Sequence, residues 1–389
     1  MIKRALSQAL VRSMKSVLLL GPRQTGKSTL AASLRPDLTI SLMHEPTFLE
    51  FLRNPSELEQ RLGALAGHHS YTILIDEVQR LPSLLNTLQS LLDRPASPYR
   101  FLLTGSSARK LRRGHANLLP GRIHTYYLGP LTCGELDDQM DTLKALSRGT
   151  LPGIWTEPDV AQAEKTLRSY AATYLKEEVQ AENLAHNLEG FARFLQITAE
   201  WSGRFLDLSK MASSAQIARQ SAVRFFEILE DCLIVRRVEP FATSLTRRLI
   251  QHPRFYFFDP GVLNGLLGNF QISGDRVGLL FEHLVLTQML HGAHARDQDL
   301  RISAYRTEHG AEVDFIVETP RTVLAVEVKA ARSIGAIDRR GFKSFAEYHG
   351  KKHRALILYR GDQRKSLKDV ELWPWQNGIH EILDACSSV

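Results

Sequence analysis

The chain has 389 residues, of which 43% are hydrophobic and 23% charged, with a formal net charge of +7. That composition excludes a disordered, collagenous or mucin-like chain, and the length predicts about two or three domains. No stretch reaches the roughly 18 consecutive apolar residues of a transmembrane helix. The three cysteines, Cys133, Cys232 and Cys386, stand too far apart in sequence for a disulfide framework or a C-x-x-C metal pair, as in a reducing cytoplasm. The basic N-terminus runs into a glycine loop rather than a small-residue cleavage site, so no signal peptide is expected and the chain reads as cytoplasmic. The basic excess favours a polyanion partner.

Val17 to Leu20 read as a buried parallel strand, followed by Gly21-x-x-x-x-Gly26-Lys27-Ser28 and a helix from Thr29 to Leu34. This is a P-loop in its strand–loop–helix setting. Glycines let the backbone curl around phosphates, and the helix start offers unpaired N–H groups. Gly21, Pro22, Arg23, Gln24, Thr25, Gly26, Lys27, Ser28 and Thr29 form the expected nucleotide-binding set. Lys27 would reach the β- and γ-phosphates of ATP, and Ser28 would ligate Mg²⁺.

A second apolar strand, Tyr71 to Ile75, ends in Asp76-Glu77. Asp76 would hold Mg²⁺, and Glu77 would act as general base on the attacking water. A third, Arg100 to Leu103, ends in hydroxyls, where Thr104 or Ser106 either senses the γ-phosphate or caps a helix. Arg122 opens an edge strand. It serves either as an arginine finger supplied to a neighbouring subunit, or in an internal salt bridge or a same-subunit phosphate contact. The Arg109–Arg113 cluster upstream is a basic face with a secondary claim to the finger role or to nucleic-acid contact.

The wording and order of GPRQTGKSTL, LIDEVQRLPSLL, FLLTGSSARKL and LPGRI…YLGPLTCGEL resemble a large bacterial and archaeal family. Its members are AAA+-type P-loop ATPases fused to a C-terminal domain of unknown function. The resemblance implies ATP hydrolysis, ATP and Mg²⁺ as ligands, and a homo-oligomer, with a hexamer as the AAA+ expectation. Many relatives carry an acid where this chain reads Ile40-Ser-Leu-Met-His44.

Ala161 to Asn187 has helical spacing, with Tyr170, Tyr174 and Val179 on an apolar face, and reads as a helical lid. Phe191–Trp201, Leu206–Ala212 and Gln216–Cys232 read as three helices, followed by two apolar strands with Arg247-Arg248 between them. That order is a winged helix-turn-helix, used for DNA or for packing between subunits. For DNA, Arg219, Gln220 and Arg224 with Gln216 form the polar side of the third helix, and Arg247 and Arg248 follow phosphate.

Farther on, Glu282 sits in a helix, Asp314 in a strand, and Glu327 and Lys329 alternate with apolar residues on a second strand. Two carboxylates with a lysine make a hard-cation site, with Asp314, Glu327 and a main-chain carbonyl holding a second Mg²⁺ or Mn²⁺ and Lys329 orienting or deprotonating water. Asp, a spacer, then Glu-x-Lys with an upstream helical Glu resembles the restriction-endonuclease-like superfamily. Many of its members bind DNA without cutting it.

The expected architecture is α/β: a P-loop AAA+ core with a parallel sheet over 1–140, a helical lid over 141–190, a winged helix over 191–253 and a restriction-endonuclease-like α/β domain over 254–389. The function so read is an ATP-hydrolysing, DNA-associated ATPase for remodelling, branch migration or unwinding. The alternatives are a nucleotide-gated, metal-dependent nuclease in genome defence and an ATPase signalling switch with protein partners.

Overall fold

Alternation along the apolar strands decides how the N-terminal layers stack. In the computed structural model, which describes residues 2–65, 70–106, 119–174, 187–241, 252–335 and 338–387, helix α1 (Ser7–Arg12) leads into strand β1 (Ser16–Leu20). Every residue of β1 is buried. Helix α2 (Lys27–Ser33), strand β2 (Leu38–Ser41), helices α3 (Glu45–Arg53) and α4 (Glu57–Gly63), strand β3 (Tyr71–Asp76), helix α5 (Leu84–Leu92), and strands β4 (Tyr99–Gly105) and β5 (Ile123–Tyr127) come in that order. The strands make one sheet in the order β2-β3-β4-β1-β5, with all neighbours parallel. Val17 and Leu19 join Leu6, just before α1, with Leu10 of α1 and Leu30 and Ala31 of α2. Leu18 and Leu20 belong to the opposite layer with Phe51, Leu58 and Leu88 of α3 to α5. A fully buried side chain of this kind contributes about 1.5–3 kcal/mol. Parallel crossovers put the ends of β1, β3 and β4 side by side, at the sheet edge where ligands bind in open α/β folds.

Helices α6 (Thr142–Arg148), α7 (Pro152–Thr156) and α8 (Val160–Ser169) come next, and α8 runs into a π-helical turn, Tyr170–Tyr174. Asp141 and Asp159 cap α6 and α8 through their side chains. Tyr170 is buried in the core of this region, and Val179 lies outside the described residues.

Helices α9 (Leu188–Glu200), α10 (Leu208–Ser214) and α11 (Arg219–Asp231) precede an antiparallel ribbon of β6 (Val235–Pro240) and β7 (Arg254–Phe257). Phe205 makes a further bridge to Arg254. The third helix starts after Gln216, which turns the chain with a φ of 54°. The segment with Arg247 and Arg248 lies outside the described residues. The ribbon is continuous with the C-terminal sheet, because β6 pairs in parallel with β8 (Arg301–Arg306). The boundary expected at 253/254 therefore falls between two strands of one sheet.

Helix α12 (Pro260–Leu267) and the long α13 (Val277–Ala295) come between. Past β8 come β9 (Glu312–Glu318), β10 (Val323–Lys329), helix α14 (Arg340–His349), β11 (His353–Tyr359), β12 (Lys365–Leu367), β13 (Val370–Pro374) and helix α15 (Trp375–Cys386). The second sheet reads β12-β13-β11-β10-β9-β8-β6-β7, with β8, β9 and β10 antiparallel and β10–β11 parallel. One apolar cluster runs from Leu146 and Leu167 through Phe194 and Phe226 to Leu284, Leu324 and Ile379, so these units share a core. Among the described residues no helix is long and apolar enough to cross a membrane.

Candidate active site

The loop between β1 and α2 is held in its curl by its own side chains. Gly26 (φ 90°) and Gln24 (φ 63°) are in the left-handed region, which Gly adopts freely and Gln only with strain. Thr25 Oγ1 donates to the Pro22 carbonyl at 2.9 Å. Lys27 Nζ donates to the carbonyls of Gly21 (2.8 Å) and Pro22 (2.9 Å), so the buried ammonium is anchored at the loop mouth. Ser28 and Thr29 are exposed at the helix start.

The strand ends meet this loop. Ser28 Oγ donates to Asp76 Oδ1 at 2.7 Å, and Thr104 Oγ1 donates to the same oxygen at 2.5 Å. Thr104 also accepts from the Glu77 backbone N–H at 3.0 Å. Glu77 itself has φ 59° and ψ 47°, a left-handed conformation of the sort found at functional sites. Its carboxylate accepts from Gln79 Nε2, which also donates to Ser106 Oγ at 3.0 Å. Thr104 and Ser106 are completely buried; Thr104 contacts both acids directly, and Ser106 reaches Glu77 through Gln79. The structure thus brings Lys27, Ser28, Asp76, Glu77 and Thr104 together.

Sequence reasoning missed three of the groups around the loop. Arg4 is buried and gives Nη1 to the Thr25 carbonyl (2.6 Å), Nη2 to the Gly129 carbonyl (2.8 Å) and Nε to Glu135 (2.9 Å). Tyr170 Oη donates to the Arg23 carbonyl at 3.2 Å. Gln79 is the third. Arg4 and Tyr170 have no local signal: their partners Glu135 and Arg23 lie 131 and 147 positions away. A cleft of about 470 Å³ opens beside the loop, lined by Ile2, Lys3, Thr29, Leu30, Pro152 and Gly153.

Arg122 stands apart from that set. Its Nε donates to Asp93, Nη1 donates to the Pro120 carbonyl at 3.1 Å, and its side chain is about a third exposed, at 36%. The Arg109–Arg113 cluster lies outside the described residues. Arg219, Gln220 and Arg224 are exposed on α11, opposite Phe225, Phe226 and Leu229, and Arg219 Nε donates to Ser209 Oγ at 3.1 Å.

The second group of acids gathers over β9, β10 and α13. Asp314 lies one residue before Phe315, and Glu327 one after Val326, in the antiparallel register that pairs Phe315 with Val326. Asp314 Oδ2 accepts from the Val328 N–H at 2.8 Å. Lys329 Nζ is 2.6 Å from Glu327 Oε2. Helix α14 backs this carboxylate closely, because a β-carbon on Gly341 would stand 3.2 Å from Glu327 Oε1. Glu282 accepts from Tyr256 Oη at 2.5 Å and from Arg254 Nη1 at 3.1 Å, and Arg254 also pairs with Glu312. Burial, reinforced by the Asp314 charge, pushes the Glu282 and Glu327 carboxyls up to about 7. Burial also raises Asp314. For Lys329 burial pulls downward, but the Glu327 charge outweighs it and holds the ammonium above its usual pKa. Arg254, Tyr256 and Glu312 had no motif to announce them.

Three family models match in succession. Residues 13–136 match an AAA domain, residues 140–273 a domain of unknown function (DUF8612), and residues 277–377 another (DUF4143). The chain therefore has an AAA-type ATPase domain at its N-terminus followed by two domains of unknown function, and ATPases of this type use ATP and Mg²⁺. Curated relatives include uncharacterized proteins of Mycobacterium tuberculosis and Mycobacterium bovis. Each is 29% identical over 376 residues, which cover 95% of this chain and 80% of the relative. Among solved structures, a DNA polymerase III gamma subunit-related protein from Thermotoga maritima matches with a TM-score of 0.24 and 12% identity, over 59% of this chain and 98% of that one.

Proposed function

We propose that the protein is an ATP-hydrolysing, DNA-associated ATPase that remodels or unwinds DNA. The observation that carries the hydrolytic part is the connected set Ser28–Asp76–Thr104–Glu77 set against the anchored Lys27. The donors fit Mg²⁺, which prefers oxygen: the Ser28 hydroxyl and Asp76 carboxylate already converge at 2.7 Å. Ser28 and Asp76 would hold the ion, which when bound neutralises phosphate charge. Lys27 leaves its loop carbonyls for the phosphate oxygens. Glu77 accepts a proton from the water that attacks the γ-phosphorus, while the bond to the ADP oxygen breaks. Thr104 keeps Glu77 and Asp76 in register, and the cleft beside α2 takes the base. Arg122 serves a neighbour: in a homo-oligomer, a hexamer on this reading, it exchanges Asp93 for the neighbour's phosphate.

The DNA role is supported by the exposed Arg219, Gln220 and Arg224 on the third helix of a three-helix unit with a ribbon. The test is steady-state ATP hydrolysis against single-stranded, duplex, forked and four-way-junction DNA, with Lys27→Ala as the blank. Stimulation by at least one DNA form is expected, and Arg219→Ala/Arg224→Ala should weaken it. A flat response with no binding at moderate salt would overturn the DNA role and favour a switch with protein partners.

A second reading rests on the acids of the C-terminal domain. The meander β8–β9–β10, the crossover through α14 to β11 and the preceding α13 support a restriction-endonuclease-like arrangement. Asp314 and Glu327 suit a hard cation, since a bound cation would stabilise carboxylates that burial has destabilised. On this reading Lys329 and Glu282 position water at a phosphodiester. DNA cleavage with Mn²⁺ that is lost in Asp314→Ala is expected; intact DNA after long incubation with metal and ATP would sink it.

A further inference from the structure

Where the N-terminal domain ends, a short turn faces the last helix of the chain. Cys133, a carboxylate oxygen of Asp138 and a ring nitrogen of His380 lie within 4.8 Å of one another. Cys133 is 1% exposed. Its backbone N–H donates to Gln288 Oε1 of α13 at 2.7 Å, and Gln288 Nε2 donates to the Leu131 carbonyl at 3.0 Å, so its position is fixed from α13. The chain then folds back: the Asp138 N–H donates to the Cys133 carbonyl at 2.9 Å, and Asp137 and Asp138 are both left-handed, with φ of 53° and 57°. That turn returns the Asp138 carboxylate to Cys133. His380, on α15, rests on Gly134, where a β-carbon would come 3.1 Å from its Cε1. Its Nε2 is 2.6 Å from Asp138 Oδ1.

We propose that Cys133, Asp138 and His380 are three ligands of a Zn²⁺ ion that ties the N-terminal domain to the C-terminal helix. A thiolate, an imidazole and one carboxylate are the donor types zinc takes, with a water in the fourth tetrahedral position. The sulfur sets this group apart from the all-oxygen acids at Asp314 and Glu327, which suit Mg²⁺ or Mn²⁺. Two anionic ligands match the charge of the ion. Arg296 is the group that opposes it: Nη2 is 2.6 Å from His380 Nδ1, while Nη1 pairs with Asp384 at 2.5 Å. Without metal, His380 donates its Nε2–H in a hydrogen bond to Asp138. When zinc binds, the ion replaces that proton at Nε2, the proton moves to Nδ1, and Arg296 keeps Asp384 alone. The Cys133 thiol proton leaves as the one proton released to solvent, and water leaves the zinc.

The test is titration of the chelator-treated full chain with Co²⁺ as a spectroscopic probe, followed by competition with Zn²⁺. The expected result is one thiolate-to-cobalt charge-transfer band per chain, displaced by stoichiometric Zn²⁺. Cys133→Ser should abolish the band, His380→Ala should weaken binding at least tenfold, and Arg296→Gln should tighten it several-fold. Cys386→Ser and Asp314→Asn should leave it unchanged. No band in the wild type, or a band that persists in Cys133→Ser, would overturn the proposal. His380 is only partly buried, so His380→Ala keeps the test valid if Cys133→Ser fails to fold.

Discussion

Single hydrogen bonds set the roles at the candidate ATP site. Thr104 is fully buried, and its hydroxyl touches both the Asp76 carboxylate and the Glu77 backbone. Thr104→Val keeps the shape and removes both contacts. Loss of such a bracing group should lower kcat by about tenfold or more while leaving nucleotide affinity within roughly threefold, since pre-positioned groups act mainly on the transition state. Separate kcat and nucleotide Kd measurements check this; an unchanged kcat would remove Thr104 from the machinery. The second residue-scale prediction concerns pH. Glu282 and Glu327 are raised from 4.5 to about 7 by burial and by Asp314, so the folded state holds more protons than the unfolded state between those values. Their contribution is favourable below about 4.5 and is lost as pH rises through about 7. Thermal melting of wild type and a Glu282→Gln/Glu327→Gln variant across that window should diverge, with the variant gaining relative stability toward pH 8. Parallel curves would contradict the raised values. What was legible at this scale was local. Gly21 to Thr29 and Asp76-Glu77 announce themselves in short runs, because phosphate and magnesium need those types at fixed spacing. Arg4 and Tyr256 do not, because their partners Glu135 and Glu282 are set by tertiary packing.

At the scale of elements, the apolar runs Val17–Leu20, Tyr71–Ile75 and Arg100–Leu103 lie within strands β1, β3 and β4. The third helix of the middle unit begins at Arg219 rather than Gln216, because Gln216 turns the chain with a positive φ. Pairing across the sheet was not readable: nothing in Val235–Pro240 announces that β6 adds to β8 as well as β7. The joint between α6 and α12 is the most demanding. Gly149 has φ 68° and ψ −162°, a conformation essentially reserved for glycine, and a β-carbon there would stand 1.9 Å from Asp259 Oδ1. Asp259 is completely buried, receives the Thr150 and Val262 N–H groups at 2.7 and 3.0 Å, and is pushed up to about 6 by burial. Gly149→Ala should therefore cost roughly 2–4 kcal/mol, strain and overpacking together. Urea unfolding measures it; a loss under about 0.5 kcal/mol would mean the joint yields easily.

Across the whole molecule, α13 links the C-terminal acids to the N-terminal domain. It carries Glu282 toward Asp314 and Glu327, and His291 packs so tightly on Gly129 that a β-carbon there would come 2.2 Å from its Nδ1. Gly129 in turn accepts from Arg4, which holds the P-loop carbonyl of Thr25. The ATPase domain and the C-terminal domain are thus joined by direct packing rather than by a linker, a relation that motif spacing could not express. Everything proposed for the N-terminal domain turns on whether the P-loop, Asp76 and Glu77 hydrolyse ATP. Steady-state Mg²⁺-ATP hydrolysis by the full chain beside Glu77→Gln, with bound nucleotide identified after each assay, decides it. Turnover is expected in the wild type, with a fall of about 100-fold or more in Glu77→Gln, which keeps ATP bound. Hydrolysis by Glu77→Gln at the wild-type rate would contradict the assignment of Glu77 as the base.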